Sequence, residues 1–360
     1  MTADDLAQAL RAAVLAQRFE TTADSLQGGA PLGLHPSIDL AVAVFPRGSA
    51  PVAANVLFSR EHPQGRVAQF DPRTGAVANI AFQADVRNAA GESYAWLPGA
   101  DWSRIDFPAW FGQGPRFVAP YPASLLKMMV ALGVGRLVDD GRSDWALPVA
   151  YGGQTRAVGD WLHDMIIVSS NEATSALVAH LHARGAIRRE GGREVHNELH
   201  ALFAAQGWPG LRIANTQPDG GWGNGAGSGV GQIQMTAWDA LRLMWRLDAD
   251  APAQPALLSP ASRDLIRRAL DAQQLNEILS SESLRQLPGW VPGIPARFAH
   301  KTGNTQNYTS DAGMVHDGEL HYLIAVTTSL GSRYAPPGAA TTWRLPALGA
   351  AVHAWLKSAS

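Results

Sequence analysis

The chain has 360 residues, 46% of them hydrophobic and 17% charged, so it can bury a large core in one or two domains. Its net charge of -2 gives no electrostatic reason to expect nucleic acid or an anionic membrane surface as a partner. The absence of cysteine excludes a thiol nucleophile, a disulfide framework and cysteine metal ligands.

The first 25 residues predict an amphipathic helix rather than a secretory signal. Their apolar residues recur at helical spacing, at Leu6, Leu10 and Val14. No apolar run reaches the roughly 18 residues of a membrane span, so we expect none. As written, the sequence predicts an unexported, cytoplasmic protein. A periplasmic or secreted protein whose signal has been removed would look the same.

The elements change from strands to helices and back to strands along the chain. Strand patterns cover residues 37–45 and 55–60, and further β structure is expected over 67–86, around a turn at 72–75. Helices are then predicted over residues 124–140, 158–182, 194–206 and 236–247. Strand periodicity returns at 297–301, 308–316 and 320–329, and residues 341–357 predict a closing helix.

This order predicts an α/β (α+β) fold with one antiparallel sheet built from both termini, flanked by helices and interrupted by a mainly helical domain. We expect residues 1–119 to supply the N-terminal helix and the first strands. Residues 120–285 would form the helical domain, and residues 286–360 would complete the sheet.

Lysine is scarce, with Lys127, Lys301 and Lys357 the three lysines among 29 basic residues. An arginine stays protonated in a protein site, whereas a buried lysine readily becomes neutral and can act as a general base. Lys127 lies three residues after Ser124 at the start of a predicted helix, so the amine and the hydroxyl share one helix face. Alone, a Ser-x-x-Lys spacing is a weak signal.

Two further polar motifs accompany this pair, Ser169-Ser170-Asn171 and His300-Lys301-Thr302-Gly303-Asn304. In this order, the three resemble the SxxK, SxN and KTG motifs of the penicillin-recognising serine hydrolases. The first two blocks look most like low-molecular-weight D-alanyl-D-alanine carboxypeptidases, and the histidine before Lys301 also looks like that of class A β-lactamases. The resemblance covers roughly residues 115–330.

The resemblance implies a role for each matched residue. Ser124 would be the acylated nucleophile, Lys127 its general base, and Ser169 a proton relay toward the leaving amine. The substrate-binding residues would be Asn171, Lys301, Thr302, Gly303 and Asn304, with the backbone amides of Ser124 and Asn304 forming the oxyanion hole. Two cationic lysines in one pocket would also depress each other's pKa.

Two features depart from the β-lactamase pattern or add to it. No Glu-x-x-Leu-Asn segment, which in class A β-lactamases supplies the base for deacylation, occurs between Asn171 and Thr236. Trp222 stands in the glycine-rich stretch 219–231, which we interpret as a mobile loop rather than a phosphate-binding loop. We expect Trp222 to touch substrate, because glycines cannot enclose its ring.

The sequence therefore predicts a serine hydrolase that cleaves an amide through an acyl-enzyme, with a D-alanyl peptide or a β-lactam analogue as substrate and no cofactor or metal. Alternatives are an amidase or esterase acting on a small metabolite, and a β-lactam-binding protein without turnover. A zinc hydrolase using His196 and His200, four apart on a predicted helix, with His163 as a third ligand, lacks the HExxH order. The oligomeric state stays open.

Overall fold

The computed structural model describes residues 1–88, 92–97, 99–108, 114–223, 229–276, 278–279, 296–334 and 344–359. Within these residues there are eight α-helices: α1 (Ala3–Ala16), α2 (Lys127–Asp139), α3 (Val158–Ile167), α4 (Asn171–Ala183), α5 (Glu198–Ala205), α6 (Ala237–Leu247), α7 (Pro260–Asp271) and α8 (Arg344–Ala359). No helix in these ranges has both the length and the apolar character needed to cross a bilayer.

The same residues form sixteen strands: β1 (Ala23–Asp24), β2 (Ala30–Pro31), β3 (Ile38–Val44), β4 (Val52–Phe58), β5 (Arg66–Val67), β6 (Ala81–Ala84), β7 (Arg116–Ala119), β8 (Pro148–Tyr151), β9 (Gln154–Ala157), β10 (Ile187–Glu190), β11 (Arg193–Asn197), β12 (Arg212–Ile213), β13 (Ile233–Gln234), β14 (Arg297–Asn304), β15 (Thr309–Asp317) and β16 (Leu320–Thr328).

Six of these strands form one antiparallel sheet in the order β14-β15-β16-β3-β4-β5. Its centre is the pair of β3 and β16, which come from opposite ends of the chain. The predicted fold, a mixed α/β structure whose sheet draws on both termini, is confirmed. The other strands form two-stranded pairs, and most of these lie between α2 and α6 in the otherwise helical middle of the chain.

The sheet is covered on both faces because its central strands are buried at almost every position and are mostly apolar; β3, for example, is buried throughout, and its one polar residue is Asp39. Leu40 and Val42 face a core that contains α1 and α8, while Ala41 and Ala43 face a second core that contains α2, α3, α4 and α6. Side chains in a strand alternate between faces, so an uninterrupted apolar strand is buried on both sides. The result is a sheet between two helical layers.

The single helix predicted over residues 158–182 is wrong, because the structure divides it into α3 and α4. Ser169 has a left-handed backbone with φ of 57°. Ser170 then caps α4, its hydroxyl accepting a hydrogen bond from the Ala173 amide at 3.1 Å. A serine that satisfies a free amide at a helix start favours a new helix over continuation of the old one.

The helix predicted over residues 194–206 is also wrong in its first part. Residues 193–197 form β11, which pairs with β10 across Gly191 and Gly192, both with positive φ. Such a glycine pair suits a tight hairpin turn. Asn197 then caps α5, accepting from the amides of Leu199 and His200. His196 and His200 therefore do not share a helix.

Helix α1 packs against the sheet through its apolar residues, and substitution of one of these residues tests that packing. Leu10 is 1% exposed in the core between α1 and the sheet, whereas Leu26 is 62% exposed. Leu10→Ala should lower the free energy of unfolding by about 2–5 kcal/mol, because it leaves a cavity. Leu26→Ala should change it by about 0.5 kcal/mol or less. Urea unfolding measures both, and equal effects would contradict this packing.

Candidate active site

Ser124 lies in a 3₁₀ turn, Ala123–Leu126, that connects β7 to the buried helix α2. Ala123 before it has a positive φ of 49°, a conformation that a residue with a side chain adopts at some cost. The turn is held from the sheet, because the Ser310 hydroxyl of β15 donates a hydrogen bond to the Pro122 carbonyl. Ser124 is half-buried and borders a cavity of about 440 Å³.

The Lys127 amine is the meeting point of the first two motifs. Its Nζ lies 2.9 Å from Ser124 Oγ, 2.9 Å from Ser169 Oγ, 2.6 Å from the Ser169 carbonyl oxygen and 3.0 Å from Asn171 Oδ1. The left-handed backbone of Ser169 directs both its carbonyl and its hydroxyl at the same nitrogen. Chain segments more than 40 residues apart thus converge on one amine.

The partners of Lys127 allow its protons to be counted. The Ser169 carbonyl and the Asn171 amide oxygen only accept, so they take two N–H groups. A neutral amine has two N–H groups and one lone pair. In the neutral state the lone pair is therefore left for a hydroxyl proton, and the hydroxyl oxygens of Ser124 and Ser169 both lie 2.9 Å away. This arrangement suits proton transfer from serine to lysine.

Burial favours the neutral state. Lys127 is 1% exposed, and the loss of hydration lowers its pKa from 10.5 to about 7. Lys301 is completely buried, and its pKa is lowered first by burial and then by the charge of Lys127, against an opposing effect of Asp311. Burial is the cause of the shift at Lys127, and the charge of Lys127 adds to the shift at Lys301, as expected for two lysines in one pocket.

The third motif lies on the edge strand β14. Lys301 Nζ donates to Ser169 Oγ at 3.0 Å and to the Thr302 carbonyl at 2.7 Å, so Ser169 lies between the two lysines. Gly303 permits this approach of sheet and helix. A Cβ at that position would lie 2.7 Å from the Ser124 amide nitrogen and 2.6 Å from the Pro122 carbonyl oxygen.

Some of the predicted site residues line the cavity, and the others lie next to them without lining it. Ser124, Lys127, Asn171, Trp222 and Asn304 line the cavity. Ser169 and Lys301 are joined to that group by hydrogen bonds, and Thr302 and Gly303 are buried next to them in β14. Residues 224–228 of the predicted glycine-rich loop lie outside the described residues.

Among the lining residues that the sequence reasoning missed are Tyr121 and Ser175. Tyr121 lies three residues before Ser124, and its ring packs edge-on against Tyr308. Ser175 lies four residues after Asn171, one turn along the same face of α4, which is the spacing that could have identified it. Among the described residues that line the cavity, none is an aspartate or a glutamate.

Behind Lys301, a buried polar network supports the strand. His300 Nδ1 lies 2.8 Å from Asp311 Oδ1, and its Nε2 lies 2.8 Å from Asn276 Oδ1. The other carboxylate oxygen of Asp311 accepts from the Leu279 amide at 3.1 Å. With both ring nitrogens engaged and buried, His300 has no direct access to the cavity. Its role here is to fix β14.

The residues of the zinc alternative do not come together. His196 lies on β11 beside Glu198, and His200 Nε2 accepts from the Ile213 amide at 3.1 Å. His163 is exposed on α3 beside Asp164. Within the described parts of the chain, three potential metal ligands converge elsewhere, at Asp248, His316 and His321.

With this geometry established, comparison with known proteins identifies the family. The sequence model of the Beta-lactamase enzyme family matches residues 118–347, well over half of the chain. The chain belongs to this family. The resemblance to penicillin-recognising serine hydrolases is therefore confirmed. No curated protein matches the sequence.

Solved structures show the same fold. A PBP-A mutant, solved as an acyl-enzyme complex with penicillin G, is 17% identical with a TM-score of 0.54, over 99% of this chain and 97% of that one. The TLA-1 extended-spectrum β-lactamase is 13% identical, with a TM-score of 0.55 over 97% and 99%. A β-lactamase from Xanthomonas campestris pv. campestris is 14% identical, with a TM-score of 0.52 over 98% and 97%.

The lowered pKa of Lys127 can be measured directly because the chain has three lysines. In protein labelled with ¹³C at lysine Cε, we expect one resonance to titrate near pH 7, since burial destabilises the ammonium form. Lys127→Met should remove that resonance. If every lysine resonance kept the chemical shift of a protonated amine up to pH 9, the neutral state of Lys127 would be ruled out.

Proposed function

We propose that this protein is a serine amide hydrolase that forms an acyl-enzyme on Ser124, with a D-alanyl peptide or a close analogue as its substrate. One observation carries the proposal. Lys127, buried and with a pKa lowered to about 7, lies 2.9 Å from Ser124 Oγ while two acceptors occupy its N–H groups. A buried base beside an otherwise inert hydroxyl is the arrangement that activates a serine nucleophile.

In the first step, neutral Lys127 takes the proton of Ser124 Oγ as the oxygen attacks the substrate carbonyl. The resulting oxyanion would be stabilised by the amides of Ser124 and Asn304. Support for this placement comes from the 3₁₀ turn, which places the Ser124 amide against β14 next to Gly303. Amides held by the fold stabilise a developing negative charge without reorganising.

In the second step, the proton leaves Lys127 and reaches the departing amine. Ser169 Oγ lies 2.9 Å from Lys127 Nζ and 3.0 Å from Lys301 Nζ, so it can accept one proton and donate another. The C–N bond breaks, the nitrogen takes this one proton and leaves as a neutral amine, and Lys127 is neutral again. Lys301 and Thr302 would bind the substrate carboxylate, and Asn171 its acyl amide.

The fate of the acyl-enzyme separates a peptidase from an efficient β-lactamase. No described residue that lines the cavity carries a carboxylate that could activate the deacylating water. This favours a peptidase or a β-lactam-binding protein that is acylated and released slowly.

Intact-protein mass spectrometry after addition of penicillin G tests this proposal. We expect the mass to rise by one penicillin molecule and to persist for minutes or longer. Ser124→Ala should form no adduct, while Ser103→Ala, an exposed serine bonded to Asp101, should react as the wild type does.

Three other results of the penicillin experiment would contradict parts of this proposal. Rapid return to the free mass with hydrolysed penicillin would contradict slow deacylation. The absence of both adduct and hydrolysis would contradict a D-alanyl analogue as substrate and favour a different amide or an ester. Loss of activity on chelation would favour the metal alternative.

Lys127→Arg should reduce the rate of acylation by about 10²–10⁴, because a guanidinium does not become a base. In the wild type the rate should fall about tenfold per pH unit below the pKa of about 7, since protonation removes the lone pair. Lys357→Arg is the matched control, because Lys357 pairs with Asp317 near the C-terminus. Equal rates in the two variants would refute the role of Lys127.

A further inference from the structure

A second group of chemically active side chains lies at the opposite end of β15. His316 and His321 are direct cross-strand partners of β15 and β16, on either side of the turn that joins these strands. Asp248, the residue that ends α6, reaches the same point. The potential ligand atoms of the three side chains all lie within 4.8 Å of one another.

We propose that Asp248, His316 and His321 form a binding site for one divalent transition-metal ion of the Zn²⁺ type, which links helix α6 to the β15–β16 hairpin. Asp250 would supply a fourth oxygen ligand. Two imidazole nitrogens with one or two carboxylates form the kind of ligand set that holds zinc in proteins.

The distances approach those of a metal site, and binding would turn the His316 and His321 rings out of their stacked arrangement so that both lone pairs meet at one ion. Tetrahedral zinc with bonds of 2.0–2.1 Å places its ligand atoms about 3.3 Å apart. His321 Nε2 and Asp248 Oδ2 are 2.7 Å apart, and His316 Nε2 and Asp250 Oδ2 are 4.0 Å apart. A metal would take the place of the hydrogen bond between His321 Nε2 and Asp248 Oδ2.

The surroundings hold the ligands in position. Asp248 Oδ1 accepts from the Asp250 amide at 3.0 Å, which leaves Oδ2 to face His321. Phe45 packs against the ring of His321, with 4.7 Å between the ring centres. Ligand groups fixed by outer contacts lose less entropy when a metal binds.

The charges also favour a cation. Two carboxylates, those of Asp248 and Asp250, face the two histidines. The nearest competing cation is Arg297, the cross-strand partner of His316. Its guanidinium donates to both carboxylate oxygens of Asp271, so its charge is compensated.

The site is separate from the cavity at Ser124. Arg297 and Asn304 lie at opposite ends of β14, seven residues or about 23 Å apart along the strand. The metal would therefore act on stability rather than on the acylation chemistry. It would tie the end of α6 to a hairpin more than 60 residues later, which resists the separation of the helical middle from the sheet.

Titration of chelator-treated full-length protein with ZnCl₂ tests the proposal. We expect one zinc per chain, with a dissociation constant of about 10 µM or tighter. The unfolding midpoint should rise by at least about 2 °C at a hundredfold excess over that constant. His316→Ala and His321→Ala should each weaken binding by more than about tenfold.

His196→Ala is the matched control, since it removes a histidine that the sequence placed in a different possible zinc site. Zinc binding lost in His196→Ala but kept in His316→Ala would overturn the assignment, as would binding weaker than about 100 µM in the wild type. His316 is partly exposed, so His316→Ala should still fold if His321→Ala does not. Penicillin acylation should be unchanged by the chelator. Loss of acylation would place the metal at the Ser124 cavity rather than at Asp248, His316 and His321.

Discussion

The structure depends on the burial of two lysine amines at one point between the sheet and the helices. The pKa of Lys127 falls from 10.5 to about 7, which corresponds to roughly 5 kcal/mol against its charged form. Such a cost is tolerated only where every N–H group has an acceptor. The Ser169 carbonyl and the Asn171 amide supply those acceptors, and the remaining lone pair meets Ser124. The burial of Lys127 among these acceptors therefore both satisfies its N–H groups and leaves its lone pair to react with Ser124.

Three backbone features bring the groups together. The positive φ of Ser169 turns its carbonyl and hydroxyl toward Lys127, and the positive φ of Ala123 presents Ser124 at the start of α2. Gly303 lets β14 approach the Ser124 amide more closely than any side chain allows. Each feature costs conformational energy that the surrounding core must offset. The apolar character of the sheet on both faces supplies that core.

The sequence predicts the sheet, the motifs and the convergence of the lysines because these follow from local patterns. It fails at residues 158–182, where apolar spacing continues across Ser169, and at residues 194–206, whose first part forms the second strand of the hairpin that turns at Gly191-Gly192. In both places a short-range device, a capping serine or a hairpin glycine pair, outweighs periodicity. Helix α7 was not predicted either, although Ser259 caps it and Pro260 begins it.

The acidic residues that follow Asn171 bear on what releases the acyl group. The Glu172 carboxylate lies against the Gly152 turn, and Asp219 Oδ1 accepts from the Gly221 amide at 3.0 Å. Neither is among the described residues that line the cavity. In the proposed mechanism Lys127 regains its lone pair once the amine has left. Deacylation then relies on the same base as acylation, and a β-lactam, whose amine stays tethered in the site, blocks the approach of water to it.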